Sequence, residues 1–238
     1  MDNSKGFLYL IPTTLGDNDP MEVLPPLVKE VIERLDCFIV ENEKTARKFI
    51  KKISPNKSQP SLTIYSLDKY ADKLEISTYL DICEKGISVG LLSEAGVPAI
   101  ADPGAEIVKL AHQKRVRVIP LVGPSSIILA MMASGFNGQN FAFNGYLPIE
   151  ASERKEAIKS LEKLSKDKNQ SQIFIETPYR NEKLFIDLKS TLNPSSKLCI
   201  ACDITLASEY IKTLEIKDWK NEHPDLNKRP TIFIIHKD

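Results

Sequence analysis

Between residues 7 and 134 the chain switches repeatedly between two hydrophobic periods, and this switching restricts its fold more than any other feature. Five short runs, FLYLI (7–11), CFIV (37–40), LTIYSL (62–67), ISVGLL (87–92) and VRVIPL (116–121), are almost continuously apolar. Such runs suit strands buried on both faces. After the first run, Leu24, Leu27, Val28, Val31, Ile32 and Leu35 recur at helical spacing, with Pro25 and Pro26 placed for a first turn. Further helices are expected over 43–52, 68–84, 104–114 and 125–134. Strands alternating with helices predict a largely parallel sheet covered on both sides.

The pattern changes near GYLPIEASERK (145–155), whose Gly and Pro predict a linker. Beyond it, helices are expected over 152–165 and 180–190, with a strand over 172–176. Three strand-like runs (197–204, 209–216 and 230–236) then follow with no helix between them, which predicts an antiparallel or mixed sheet. The expected architecture is therefore two α/β domains. Residues 1–138 would carry the largely parallel sheet and residues 139–238 the mixed one.

A chain of 238 residues can bury such cores without disulfide or metal staples. Its 32 basic and 32 acidic residues cancel, and the balance is also local, since residues 150–238 hold 16 basic and 15 acidic residues. This argues against a dedicated basic nucleic-acid domain while leaving room for a local patch. No run approaches the roughly 18 apolar residues of a membrane span. The segment MDNSKGFLYLIPTT, cut short by Pro12, reads as a strand and not as a signal peptide. The four cysteines make a poor disulfide framework at this length. Cys199 and Cys202 form a CxxC, but on a strand that spacing puts the sulfurs on opposite faces. No second CxxC accompanies it, and His112, His223 and His236 are scattered. Buried cysteines, no metal site and a reduced, cytoplasmic setting are expected.

In open α/β sheets ligands bind outside the carboxyl ends of the strands, so the residues after each strand locate the candidate site. They are Pro12 to Gly16, then Ser93 to Pro98 with Asp102-Pro103-Gly104, then Gly123 to Ser126 opening a helix. Gly, Pro, Ser and Thr at this density permit close backbone approach and leave N–H groups for a ligand. The same residues also make ordinary capped turns, with Ser125 or Ser126 as the cap. There is no GxGxxG, no GxxxxGK[ST] and no GxSxG, which removes the dinucleotide fingerprint, the Walker-A hydrolase and the nucleophile elbow.

These loops resemble those of the tetrapyrrole methylase superfamily, and within it the branch that methylates ribose 2'-hydroxyls of small-subunit ribosomal RNA. The resemblance is carried by GFLYLIPTTLGDN (6–18), VGLLSEAGVPAIADPG (89–104), VIPLVGPSSIILAMMASG (118–135), FAFNGYLP (141–148) and IFIETPYR (173–180). The branch has P-T-P-I-G-N where this chain has Pro12 to Asp17, and S-D-A-G-T-P where it has Ser93 to Pro98. It departs elsewhere. The branch's E-D-T-R becomes Glu41-Asn42-Glu43-Lys44, and its R-E-L-T-K-x-x-E becomes Cys202 to Glu209, so several cations are lost. A further C-terminal segment of the branch has no counterpart here, and the length fits the two domains alone.

The resemblance implies S-adenosylmethionine folded into a cleft between the two domains, and a homodimer. The cofactor would meet Thr14, Leu15 and Gly16, then Ser93, Ala95, Gly96 and Val97, then Ser125 and Ser126. Tyr146, Leu147, Ala207 and Thr231 would close the pocket from the second domain. Transfer to a ribose hydroxyl would use a base or orienting group from Glu41, Glu94, Asp102 or Glu176. Lys44 and Arg180 would hold substrate phosphate, the partner being ribosomal RNA or the small ribosomal subunit. Two alternatives stay open: a methyltransferase acting on a small molecule such as a tetrapyrrole, and a non-catalytic protein that binds the cofactor. The tetrapyrrole branches carry a G-x-G-x-G first loop, which Ile11 to Leu15 lacks.

Overall fold

The structure is a computed structural model that describes residues 5–67 and 73–238. Its contacts divide the chain into two compact units, the first ending at Ser125. Unit 1 runs β1 (Phe7–Ile11), α1 (Pro20–Val23), α2 (Pro26–Arg34), β2 (Cys37–Val40), α3 (Glu43–Ile53), β3 (Thr63–Ser66), α4 (Lys73–Ile76), a 3-10 helix (Asp81–Lys85), β4 (Val89–Leu92), α5 (Ala105–Gln113) and β5 (Arg117–Pro120). The five strands form one sheet in the order β3-β2-β4-β1-β5, and every pairing is parallel.

The apolar strands explain themselves by what covers them. One face holds Ile11, Phe38, Val40 and Leu92 under Val28 and Ile32 of α2 and Ala46 and Ile50 of α3. The other holds Leu8, Ile39, Val89 and Leu91 under Leu80, Cys83 and, from α5, Ile107 and Ala111. β2 and β4 are buried at every residue, so they cannot alternate with polar side chains. From β1 the chain crosses to β2 on one side, and from β4 it crosses to β5 on the other. The neighbours β1 and β4 therefore flank the switch point of the sheet, where open α/β sheets place ligands.

Local caps fix the helices. The Asp19 carboxylate accepts from Met21 N at the start of α1, and the Asn42 side chain accepts from Lys44 N and Thr45 N at the start of α3. The helix expected over 68–84 lies partly outside the described residues, and the remainder is not continuous. After α4 the hydroxyls of Ser77 and Thr78 donate back to the carbonyls of Leu74 and Glu75, at 2.6 and 2.7 Å. Such side-chain bonds compete with the helical ladder and end it.

Unit 2 runs α6 (Ser126–Ser134), β6 (Phe141–Tyr146), α7 (Ala151–Lys168), β7 (Ser171–Ile175), α8 (Asn181–Thr191), β8 (Lys197–Cys202), β9 (Tyr210–Glu215), a second 3-10 helix (Asp218–Asn221) and β10 (Thr231–His236). Its sheet has the order β6-β7-β10-β8-β9. β6 and β7 pair in parallel and the other pairs are antiparallel, so the sheet is mixed. Phe174, Leu184, Leu188, Leu198, Ile200, Cys202, Trp219 and Phe233 fill its core. The Trp219 indole donates to the Leu198 carbonyl at 3.0 Å, which satisfies its one polar atom inside that core.

Two sequence expectations change here. The sequence pattern placed the boundary between 138 and 139, but α6 packs on β8, β9 and β10 and groups with unit 2. Thr213 of β9 also donates to the Ser134 carbonyl at the end of α6. The stretch assigned to a linker from 145 onward begins inside a strand. β6 shifts register between Phe143 and Tyr146, and Gly145 sits at φ 63°. This bulge puts an Asn-Gly turn signal within a strand, which is why the pattern reads as a loop. All four cysteines are free and buried. Cys202 enters the core with Leu198 and Ile200, whereas Cys199 is absent from that cluster, as its odd offset along β8 requires.

Candidate active site

Three loops at the carboxyl ends of β1, β4 and β5 lock together in unit 1. Thr13 N donates to the Gly96 carbonyl at 2.9 Å, joining the first loop to the second. The buried Ser93 hydroxyl donates to the same carbonyl at 2.7 Å, and Thr13 Oγ1 donates to the Ser93 carbonyl at 3.4 Å. Gly96 sits at φ 73°, and a Cβ there would stand 2.9 Å from both Leu15 Cδ2 and Pro124 O. A Cβ on Gly123 would stand 2.2 Å from Pro12 Cγ, which closes the third loop onto the first. Glycine is required at both places, by sterics at Gly123 and by sterics and backbone conformation at Gly96.

The second loop is also strained beyond its glycines. Ala99 and Ala101 sit at φ 65° and 64°. Residues with a Cβ rarely adopt this region, and each costs on the order of 1–3 kcal/mol. Nothing in an Ala-Ile-Ala-Asp run signals such a turn, so sequence reasoning missed it. The two residues lie just before Asp102 on the loop after β4.

Asp102 is one of three neighbouring carboxylates. Burial pushes its carboxyl up to about 6, helped by the charges of Glu41 and Glu94. Burial also raises Glu41, which follows β2, with the Glu94 charge adding to it. Glu94 is exposed and accepts from Thr45 Oγ1 at 2.5 Å, a tie to α3. Among the described residues no donor bonds the Asp102 carboxylate, so nothing there offsets its loss of water. Like charges and burial both favour the protonated acid, and the result is a carboxyl titrating close to neutral pH.

A pocket of about 280 Å³ opens between the first loop and α3. Its walls include Thr13 to Asp17, Ser93 and Glu94, and from α3 Thr45, Lys48, Phe49 and Lys52. Lys44 is exposed on the first turn of the same helix.

Unit 2 carries the remaining expected residues. Thr231 is buried, donates to the Arg229 carbonyl at 2.9 Å and accepts from Asn181 Nδ2 at 3.2 Å. Asn181 itself is fully buried, and its Oδ1 has no partner. Tyr146 is 58% exposed, Leu147 is buried in the core, and Ala207 is exposed. Glu176 and Arg180, expected to serve separately, are paired. Glu176 Oε1 accepts from Thr177 N at 2.6 Å and from Arg180 Nε and Nη2 at 3.0 and 2.6 Å. Asp203, after β8, is bonded by Arg229 Nε at 2.7 Å and by the Ser208 hydroxyl at 2.8 Å. Thr205 beside it sits at φ 73° with Oγ1 buried and unbonded. Asn181 and Thr205 were also missed, since neither has a sequence signature apart from its fold.

No protein-family model matches the chain. The chain is 29% identical over 236 residues to Ribosomal RNA small subunit methyltransferase I of Buchnera aphidicola subsp. Schizaphis graminum, which spans 98% of this chain and 79% of that protein. The protein of the same name from Vibrio cholerae is 27% identical over 237 residues, spanning 98% of this chain and 78% of the relative. Among solved structures, the methyltransferase CobJ superimposes with a TM-score of 0.64 at 14% identity, covering 98% of this chain and 94% of that one. The uroporphyrin-III-C-methyltransferase of Thermus thermophilus gives 0.56 at 14% identity, covering 98% and 92%. At that identity the structures speak for the fold alone. Likeness over nearly the whole chain marks it as an S-adenosylmethionine-dependent methyltransferase similar to the curated small-subunit ribosomal RNA methyltransferases, with the α/β fold of the solved methyltransferases.

Proposed function

We propose that this enzyme transfers a methyl group to a ribose 2'-hydroxyl of RNA in the small ribosomal subunit. The observation that carries the reading is the Asp102 carboxyl, pushed up to about 6 beside Glu41 and Glu94 on the loop that follows β4. A hydroxyl is a poor nucleophile, and a positioned base of pKa near the working pH is the group that such an acceptor needs. The names of the curated relatives supply the RNA.

S-adenosylmethionine, when bound, supplies a methyl group on a sulfonium that is already activated for displacement. The residues present fit it. Within unit 1 the Thr14 to Gly16 loop and Ser93 line an open pocket of about 280 Å³ that can take part of it. In unit 1 we assign its binding to Thr14, Leu15, Gly16, Ser93, Ala95, Gly96, Val97 and Ser125. In unit 2 we assign it to Ser126, Tyr146, Leu147, Ala207 and Thr231.

In this reading Asp102 accepts the proton of the ribose hydroxyl at a carboxylate oxygen. Glu41 and Glu94 keep it from being too weak a base, and Thr45 fixes Glu94. Such a base contributes roughly 10²–10⁴-fold. Glu176 Oε1 is filled by three donors, so Glu176 positions Arg180 and leaves its Nη1 for phosphate. Lys44 is assigned to phosphate on the exposed start of α3. A homodimer is supported by α6, which is apolar on nearly every side: Ile127, Ala130 and Met131 are buried, while Ile128 and Met132 are 46% and 74% exposed. Labelled S-adenosylmethionine incubated with small ribosomal subunits tests the reading. Label should enter the RNA; label entering only an added tetrapyrrole, or no acceptor at all, would overturn it.

A further inference from the structure

The pocket between the first loop and α3 has a wall that neither the cofactor residues nor the three acids use. α3 carries five cations, and they divide by role. Arg47 is bonded to Glu43 and to the Gln59 carbonyl, and Lys51 is bonded to the Pro55 carbonyl. Lys44 lies on the first turn, outside the pocket lining. Lys48 and Lys52 do line it, four residues apart on one helix face, with Phe49 between them.

What these two lysines hold identifies the ligand class. The Asp17 carboxylate at the lip accepts from Lys52 Nζ at 2.9 Å. Its carboxyl is lowered by the bond to Lys52, by the charge of Lys52 and by the charge of Lys48. Two ammonium groups thus converge on one anionic point. The internal anion is weakly held, because its side chain is 82% exposed and exposed ion pairs contribute little. A phosphodiester offers the same single charge and two unbridged oxygens, and as part of a strand whose other phosphates release counterions it can take the same place.

We propose that Lys48 and Lys52 bind a phosphodiester of the substrate RNA strand near the acceptor ribose, with Asp17 as the internal anion that it displaces. The inference rests on the RNA reading above. The pocket reaches Ser93 and Glu94, so a strand anchored here runs past the loop that carries Asp102.

The test uses the full chain, a fluorescent single-stranded RNA and small ribosomal subunits, with affinities measured over a range of salt. Lys48 is exposed, so Lys48→Gln will fold, which a melting curve confirms. Lys48→Gln should weaken RNA binding about three- to tenfold and make the slope of log affinity against log salt shallower by about 0.7. The KM for subunits should rise while S-adenosylmethionine affinity stays unchanged. Asp17→Asn removes the competing anion and should tighten RNA binding. Unchanged affinity and slope in Lys48→Gln, or weaker binding in Asp17→Asn, would overturn the inference while wild-type RNA methylation keeps the broader reading intact. A wild-type protein that binds S-adenosylmethionine but no RNA would overturn both.

Discussion

Replacing Asp102 by Asn should make the protein more stable and far less active, and the stability gain should depend on pH. The Asp102 carboxyl is raised from 3.8 to about 6 by burial and by Glu41 and Glu94. A shift of about two units corresponds to roughly 3 kcal/mol against the charged form. The residue is only partly buried, so solvent screening reduces this to about 1–2 kcal/mol. The folded state binds more protons than the unfolded one between pH 4 and 6, so wild-type stability is lost as pH rises through that window. Only well below 3.8 is the acid protonated in both states and the penalty gone. Asn is neutral at every pH and nearly the same shape. Urea unfolding at pH 4 and pH 7.5 should therefore show a higher midpoint for Asp102→Asn at the higher pH and a clearly smaller difference at the lower. Methyl transfer should fall by roughly 10²–10⁴-fold with S-adenosylmethionine binding retained. An Asn variant that is less stable at pH 7.5, or whose advantage ignores pH, would refute the reasoning.

Other substitutions probe separate parts of the account. Gly96→Ala puts a Cβ 2.9 Å from Leu15 and Pro124 at φ 73°, so it should cost about 1–3 kcal/mol and abolish S-adenosylmethionine binding in calorimetry. Asp187→Ala leaves the buried Arg154 guanidinium, now bonded through Nε and Nη2 at 2.8 and 2.5 Å, without its partner. That should cost about 3–5 kcal/mol, read from the fluorescence of the single tryptophan, Trp219, in the same unit. Met132→Glu places a charge on the exposed apolar side of α6 and should turn a dimer into a monomer in light scattering; a wild type already monomeric would remove the dimer from the account.

The fold was legible where hydrophobic period decides it. The five apolar runs of unit 1 became five parallel strands, and in the central β2 and β4 residues such as Phe38, Ile39 and Leu91 have no wet face to alternate with. The mixed sheet of unit 2 followed from three strands with no α-helix between them, only a 3-10 helix before the last. β6 was hidden because its bulge uses Asn144 and Gly145, residues that elsewhere mark a turn. The boundary was misplaced because the apolar run of α6 says that it is buried, not against which sheet. The loop residues of the site were legible as motifs, yet what ties them was not: the Thr13–Gly96 bond, the positive φ of Ala99 and Ala101 and the proximity of Glu41, Glu94 and Asp102 all depend on partners distant in sequence. Arg180 was legible as a motif cation, and the structure adds that Glu176, four residues before it, engages its Nε and Nη2.

The central claim is a methyl group on a ribose hydroxyl of ribosomal RNA, and alkali reads that bond directly. Alkaline hydrolysis of RNA needs a free 2'-hydroxyl to attack the adjoining phosphodiester, so a 2'-O-methyl leaves one linkage uncut. Small subunits labelled with methyl-tritiated S-adenosylmethionine by the wild-type protein should release their label as an alkali-stable dinucleotide, and Asp102→Asn should release almost none. Label recovered in mononucleotides would place the methyl on a base, and label absent from RNA would leave the enzyme with a different acceptor.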